Sequence, residues 1–116
     1  MGSGFLAVWG RTVSKYFNRK TNGYASRKEA NRAAELHALE KAGVIKELRE
    51  QYRFELVPPQ QGERPVYYVA DFVYYDNERK ISVVEDVKSE ITRRLPAYVI
   101  KRKLFQQRYG YRITEL

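Results

Sequence analysis

Residues 66–88 read VYYVADFVYYDNERKISVVEDVK, and this stretch decides the fold. Two runs flank a short polar connection at 76–79: residues 66–75 are rich in valine and tyrosine, and residues 80–87 are rich in valine. Valine and aromatic residues favour strands, and so short a connection joins antiparallel neighbours. The first run is apolar or aromatic on both faces, which is typical of a central strand. The stretch therefore predicts two adjacent antiparallel strands in the middle of a sheet.

Upstream of this pair, the sequence predicts a helix and one more strand. Ser26 and Glu29 form a capping-box pattern that begins a helix, and Gly43 is a good residue to end it. The inward stripe of this helix contains Glu29 beside apolar residues. A strand follows at 52–57, and prolines separate it from the central pair.

Downstream, a second helix is predicted at 97–109, ended by Gly110, and a last strand at 111–116. The predicted order is therefore α-β-β-β-α-β. That order fits an α/β domain in which helices flank a central mixed sheet built on an antiparallel meander.

Two acidic residues lie within the predicted central strands. Asp71 is at the middle of the first one, between two valines on the same pleated face. In the second strand Asp86 and Lys88 share a face, whereas Glu85 points to the other side. If the strands are neighbours, Asp71 and Asp86 converge on one point.

Converging carboxylates repel each other unless a cation lies between them. A hard divalent cation such as Mg²⁺ prefers oxygen ligands, so Asp71 and Asp86 are candidate metal ligands. Glu29 is a candidate third ligand or holds a metal-bound water, and Lys88 is placed to stabilise charge on a phosphate. An ordinary buried ion-pair network and a plain helix-capping role for Glu29 remain open alternatives.

The composition limits the class of protein. The chain has 116 residues, of which 43% are hydrophobic and 31% charged, so it is long enough for one domain and one core. No run reaches the roughly 20 apolar residues that span a bilayer, and no secretory signal is evident, so we expect a soluble intracellular protein. The absence of cysteine excludes disulfides and thiolate metal sites.

The net charge of +8 is unevenly distributed. Residues 1–28 contain six basic and no acidic side chains, and 91–112 contain seven basic and no acidic ones. The middle, 29–90, holds nine basic and thirteen acidic groups. Two cationic ends suit a polyanion such as nucleic acid, although solvated surfaces also carry such charge. The candidate nucleic-acid contacts are Arg19, Lys20, Lys28, Arg93, Arg94, Lys101, Arg102, Lys103 and Arg108.

The motifs resemble those of the PD-(D/E)xK nuclease superfamily, which place an acidic residue on one strand and (Asp/Glu)-x-Lys on the next. Here Asp71 is followed by Asp86-Val87-Lys88, and Glu29 is similar to the helix glutamate of many members. More narrowly, the sequence resembles small bacteriophage proteins related to Holliday-junction resolvases. The similarity covers residues 24–116, the expected nuclease-like domain, and leaves 1–23 as a basic N-terminal arm. Ala70 replaces the proline that usually precedes the strand aspartate.

This resemblance implies a restriction-endonuclease-like core and hydrolysis that depends on Mg²⁺, with Mn²⁺ as a substitute. Glu29, Asp71, Asp86 and Lys88 would be the catalytic residues. The expected function is an endonuclease acting on double-stranded or branched DNA, including a phage resolvase acting in recombination. A junction cutter would work as a homodimer in the cytoplasm, that of the host if phage-encoded. The alternatives are a non-catalytic nucleic-acid-binding protein on the same fold and an RNA-directed nuclease.

Overall fold

The computed structural model describes residues 23–116 and, upstream of them, the backbone of a short strand, β1. Within these residues the helices and strands follow one another in chain order. They are β1 (Gly10–Thr12), α1 (Arg27–Lys41), β2 (Ile45–Val57), β3 (Val66–Asp76), β4 (Ile81–Asp86), α2 (Glu90–Arg93), α3 (Pro96–Tyr109) and β5 (Thr114–Glu115).

The strands form one mixed sheet in the order β1-β2-β3-β4-β5. Strands β1 to β4 are antiparallel neighbours, and β5 lies parallel to β4. From α1 onward this confirms the predicted α/β fold with its α-β-β-β-α-β order. The short strand β1, which pairs with β2, and the single-turn helix α2 were not predicted.

The predicted helix boundaries are confirmed by the caps. Ser26 Oγ accepts a hydrogen bond from the backbone N–H of Glu29 at 3.1 Å, so it caps the first turn of α1. Gly43 and Gly110 follow the two long helices with φ of 84° and 78°, a left-handed conformation that glycine adopts without strain. Over residues 23–116, none of the helices has the length and apolar character required to span a membrane.

Strand β2 begins at Ile45, seven residues earlier than the predicted start at Tyr52. Only the second half shows strict alternation of buried and partly buried positions. In the first half the backbone has positive φ at Glu47 (58°) and Gln51 (54°), which breaks the period of two. The first half of β2 was therefore not predicted, because its charged residues do not alternate with apolar ones.

The sheet buries an apolar cluster against each long helix. Phe105 of α3 packs into one cluster, formed by the aromatic and aliphatic side chains of β2, β3 and β4. Leu36 of α1 packs into the other. The adjacent residues Val83 and Val84 in β4 belong to different clusters, so the two helices cover opposite faces of the sheet.

Between Ala70 and Phe72 of strand β3, the alternation of side chains between the two faces of the sheet is interrupted. Ala70 belongs to the cluster on the α3 side, but Phe72, two residues later, belongs to the cluster on the α1 side. In a regular strand these two residues would share a face. Asp71 lies between them, opposite Gln51 of β2, where the backbone has its positive φ. The irregular backbone therefore coincides with the predicted site.

Candidate metal centre

Asp86 is the most deeply buried acidic residue of the candidate site. It ends strand β4 with no exposed surface, and Tyr68 Oη donates a hydrogen bond of 2.7 Å to its Oδ2. The Nζ of Lys88 lies 3.5 Å from the same oxygen. Because Asp86 and Lys88 are two residues apart, the chain presents both groups on the α3 side, as alternation predicts.

Asp71 joins Asp86 from the neighbouring strand. Its carboxyl is close enough to that of Asp86 to be among the causes that raise the pKa of Asp86. Its Oδ2 accepts from the backbone N–H of Val87 at 2.9 Å, and its Oδ1 accepts from Gln51 Nε2 at 3.3 Å. Contacts from β2 and from the residue after β4 thus fix Asp71, and the predicted meeting of the two aspartates is present.

The electrostatics of the pair disfavour two free negative charges. Burial, followed by repulsion from and hydrogen bonding to Asp71, raises the pKa of Asp86 from 3.8 to about 8. Lys88 and the Tyr68 hydroxyl offset only part of this increase. The remaining oxygen, Asp86 Oδ1, is buried without a hydrogen-bond partner among the described residues.

A divalent cation fits this donor set. A buried carboxylate oxygen that lacks a partner is costly, and a hard cation supplies both a ligand and a compensating charge. Mg²⁺ needs only one or two protein carboxylates, because it keeps several waters and takes substrate phosphate oxygens. Asp71 and Asp86 are therefore the residues that would hold such an ion.

Glu29 is buried near the pair, with Gln51 as the intermediary. Gln51 Nε2 donates to Glu29 Oε2 at 3.2 Å as well as to Asp71. Over the part of the chain that the structure describes, no group of three or more acidic, histidine or cysteine side chains is arranged to hold a metal. The structure thus brings Asp71, Asp86 and Lys88 together, and it connects Glu29 to them through an amide.

Glu85, next to Asp86 in sequence, faces the α1 side, as predicted. Arg32 of α1 binds it with two hydrogen bonds, Nε to Oε1 at 2.8 Å and Nη2 to Oε2 at 2.6 Å. The Tyr74 hydroxyl also donates to Glu85. Because these partners compensate its charge, we assign Glu85 a structural role. It forms an ion pair with Arg32 on the face of the sheet opposite Asp71 and Asp86.

Lys88 also contacts an aromatic ring that the sequence did not single out. Its Nζ lies 5.1 Å from the centroid of the Tyr98 ring, a distance suited to a cation–π contact. Tyr98 Oη donates in turn to Glu115 Oε2 at 2.6 Å. The i, i+2 spacing of Asp86 and Lys88 revealed the lysine, but no local pattern places a residue of α3 beside it.

The predicted nucleic-acid contacts have different surroundings. Arg93 and Arg102 lie near Glu115, Arg94 pairs with Glu90, and Arg108 donates to the backbone oxygen of Leu56 at 3.2 Å. Lys28 and Lys103 are exposed and Lys101 is partly buried. Arg19 and Lys20 lie outside the residues that the structure describes.

Comparison with known families matches residues 13–114 to a family described as "Protein of unknown function (DUF1064)". The chain belongs to the DUF1064 family. A search of curated proteins and a search of solved structures each found no match. The DUF1064 match begins ahead of residue 24, where the motif resemblance begins. None of these findings tests the resemblance to PD-(D/E)xK nucleases, which stays a prediction.

Proposed function

We propose that this DUF1064 protein is a metal-dependent endonuclease that hydrolyses phosphodiester bonds in DNA. The observation that carries the proposal is the buried carboxyl of Asp86, with an unpartnered oxygen, beside Asp71 and the ammonium of Lys88. Paired carboxylates and a lysine on adjacent strands match the chemistry of metal-assisted phosphate hydrolysis. The order of these residues also follows the nuclease motif that the sequence resembles.

Each side chain has a chemical task. When bound between Asp71 and Asp86, Mg²⁺ would neutralise phosphate charge and lower the pKa of a coordinated water. Asp86 must lose its proton to act as a ligand, and Tyr68 orients its Oδ2. Lys88, 3.5 Å from Asp86, is placed to stabilise the negative charge that develops on the phosphate.

DNA as the substrate is supported by charge. The 91–112 segment that follows the site has seven basic residues and no acidic one. Basic side chains at this density favour a polyanion and contact its phosphates without reading sequence. The preference for branched DNA and the homodimer rest on the resemblance to junction resolvases, so substrate structure is part of the test.

The decisive experiment is a cleavage assay on labelled linear, nicked and four-way DNA with Mg²⁺, Mn²⁺ or a chelator. We expect cleavage that requires the metal and that falls about 100-fold or more in Asp71→Asn, Asp86→Asn and Lys88→Met. Glu78→Gln and Lys41→Met, which alter exposed residues in the same chemical way, should cleave normally. If the three site variants cleave as fast as these controls, the proposal is wrong.

One observation favours a second candidate, a non-catalytic nucleic-acid-binding protein. Residues 23–116 contain no group of three acidic, histidine or cysteine ligands, as a self-sufficient metal site would have. This alternative predicts salt-dependent DNA binding and no metal-dependent cleavage of any substrate, with Asp86→Asn leaving all measured activity intact. Including an RNA strand of the same sequence in the assay separates a third possibility, an RNA-directed nuclease.

A further inference from the structure

Next to Lys88, four side chains form a charged cluster on the α3 side of the sheet. This cluster, called here the Glu115 cluster, consists of Arg93, Tyr98, Arg102 and Glu115. Glu115 Oε2 accepts a close hydrogen bond of 2.6 Å from Tyr98. Its contacts with the two arginines are much longer, 4.0 Å to Arg93 Nε and 3.4 Å to Arg102 Nη1.

These long contacts leave the arginines with unused donors. Charge-assisted hydrogen bonds between guanidinium and carboxylate groups normally measure about 2.7–2.9 Å. Arg93 Nε is buried and has no hydrogen-bond partner among the described residues. One carboxylate, already bound to Tyr98, thus faces two guanidinium groups, and the cluster keeps an excess of positive charge. A second anion would satisfy it better than Glu115 alone.

The cluster is attached directly to the proposed catalytic lysine. The ring of Tyr98 has Lys88 Nζ at 5.1 Å from its centroid and Arg102 Cζ at 5.9 Å. Both cations therefore lie against one ring, and each is partly exposed, with 24% of the Lys88 side chain and 34% of the Arg102 side chain accessible. A polyanion bound at Lys88 would therefore have a second accessible cation, Arg102, against the same ring.

We propose that Arg93 and Arg102 together bind one phosphate of the DNA backbone, next to the phosphate that Lys88 contacts. Glu115 holds the two arginines near each other and leaves some of their hydrogen-bond donors available for this phosphate. The inference rests on the proposed function for the identity of its ligand. It narrows the substrate class, because an occupied second phosphate site requires a strand that continues beyond the cleaved bond. A single nucleotide ester would lack this contact and bind weakly.

The test measures binding of a DNA duplex in a chelator at several salt concentrations. We expect Arg93→Gln and Arg102→Gln each to weaken binding and to reduce the slope of log K against log salt by about 0.9. Arg64→Gln and Arg79→Gln are matched controls, since they remove the same charge from exposed positions outside the candidate nucleic-acid contacts and should change the slope much less. Equal effects of all four substitutions, or no effect of the first two, would overturn the proposal.

A second measurement guards against misfolded variants and locates the phosphate. Arg102→Lys keeps the charge but loses the planar fork, so it should bind more weakly than wild type and keep its salt slope. In duplexes carrying one neutral methylphosphonate, a single position should abolish the effect of Arg102→Gln. If no position does so, the contact is diffuse and the subsite does not exist. Because these assays need no cleavage, failure of the nuclease proposal is seen separately.

Discussion

Gln51 connects two carboxylates of the candidate site, those of Glu29 and Asp71. Its side-chain amide donates to Glu29 at 3.2 Å and to Asp71 at 3.3 Å, and its backbone has a φ of 54°. A non-glycine residue with positive φ is strained by the order of 1 kcal/mol or more, so the surrounding contacts must hold it there. The amide keeps two carboxylates of different elements in fixed positions.

We predict that Gln51→Met lowers metal affinity and cleavage about 10- to 100-fold, the usual cost of losing a group that orients a ligand. The reason is that Asp71 loses the donor to its Oδ1 and keeps, among the described hydrogen bonds, that from the Val87 N–H to its Oδ2. Isothermal titration with Mn²⁺ and the cleavage assay measure the two effects. Gln61→Met, in the exposed loop between β2 and β3, is the control. Unchanged affinity in Gln51→Met would show that Asp71 needs no such support.

At this scale, alternation along a strand predicted much of the site from sequence. It placed Asp86 and Lys88 on one side and Glu85 on the other, and the contacts of each agree. It did not predict Gln51, because the positive φ of this residue follows from tertiary contacts. Tyr98 was also missed, since its position beside Lys88 depends on how α3 packs.

Among the elements, α1 and β4 are connected by an ion pair that crosses between layers. Glu85 is 2% exposed and accepts hydrogen bonds from Nε and Nη2 of the Arg32 guanidinium. The Tyr74 hydroxyl donates a further hydrogen bond to it. The same helix carries Glu29, whose side chain reaches Gln51. The ion pair therefore fixes the register of α1 over the strand that bears Asp86.

We predict that Arg32→Met destabilises the fold by about 3 kcal/mol, because it leaves Glu85 buried and unpaired. This is the lower end of the range for buried pairs, since the Arg32 side chain is 26% exposed. Adding Glu85→Gln should recover more than half of the loss. Urea unfolding of the single and double variants measures both values, with Arg27→Met as the exposed control. Strict additivity of the two changes would contradict this account.

The helices and central strands could be predicted because local signals agree with the fold. Caps at Ser26 and Gly110 and valine-rich strands needed no tertiary information. The first half of β2 was missed because Glu47 and Gln51 interrupt its alternation. The last strand is shorter than predicted, Thr114–Glu115 rather than 111–116, because only these residues pair with β4.

For the whole molecule, the raised pKa of Asp86 makes stability depend on pH. The folded state holds this proton up to a pH of about 8, whereas the unfolded chain releases it near the ordinary value of 3.8. Between these values the folded state binds more protons, so the free energy of unfolding decreases as pH rises. The destabilisation is complete once pH exceeds the folded pKa.

We predict that, in a chelator, the melting temperature of the wild type falls relative to that of Asp86→Asn as pH rises from about 5 to about 8. The comparison removes the contribution of other titrating groups. Mg²⁺ should raise the wild-type melting temperature most at the high end, where a proton no longer competes for Asp86. Thermal scans measure both trends. Parallel curves for the two proteins would show that Asp86 titrates normally.

The unpartnered oxygen of Asp86 has a consequence for protein engineering. A neutral residue of similar size would remove the cost of ionising a buried carboxyl as pH rises, so a screen for heat tolerance at alkaline pH would tend to replace this aspartate early. Such a variant would have a higher melting temperature but, according to the proposed function, would not cleave DNA. If one library of variants of this protein is selected separately for thermal stability and for DNA cleavage, the two selections should therefore differ at residue 86. Neutral residues should be enriched in the first selection, and aspartate should be kept in the second.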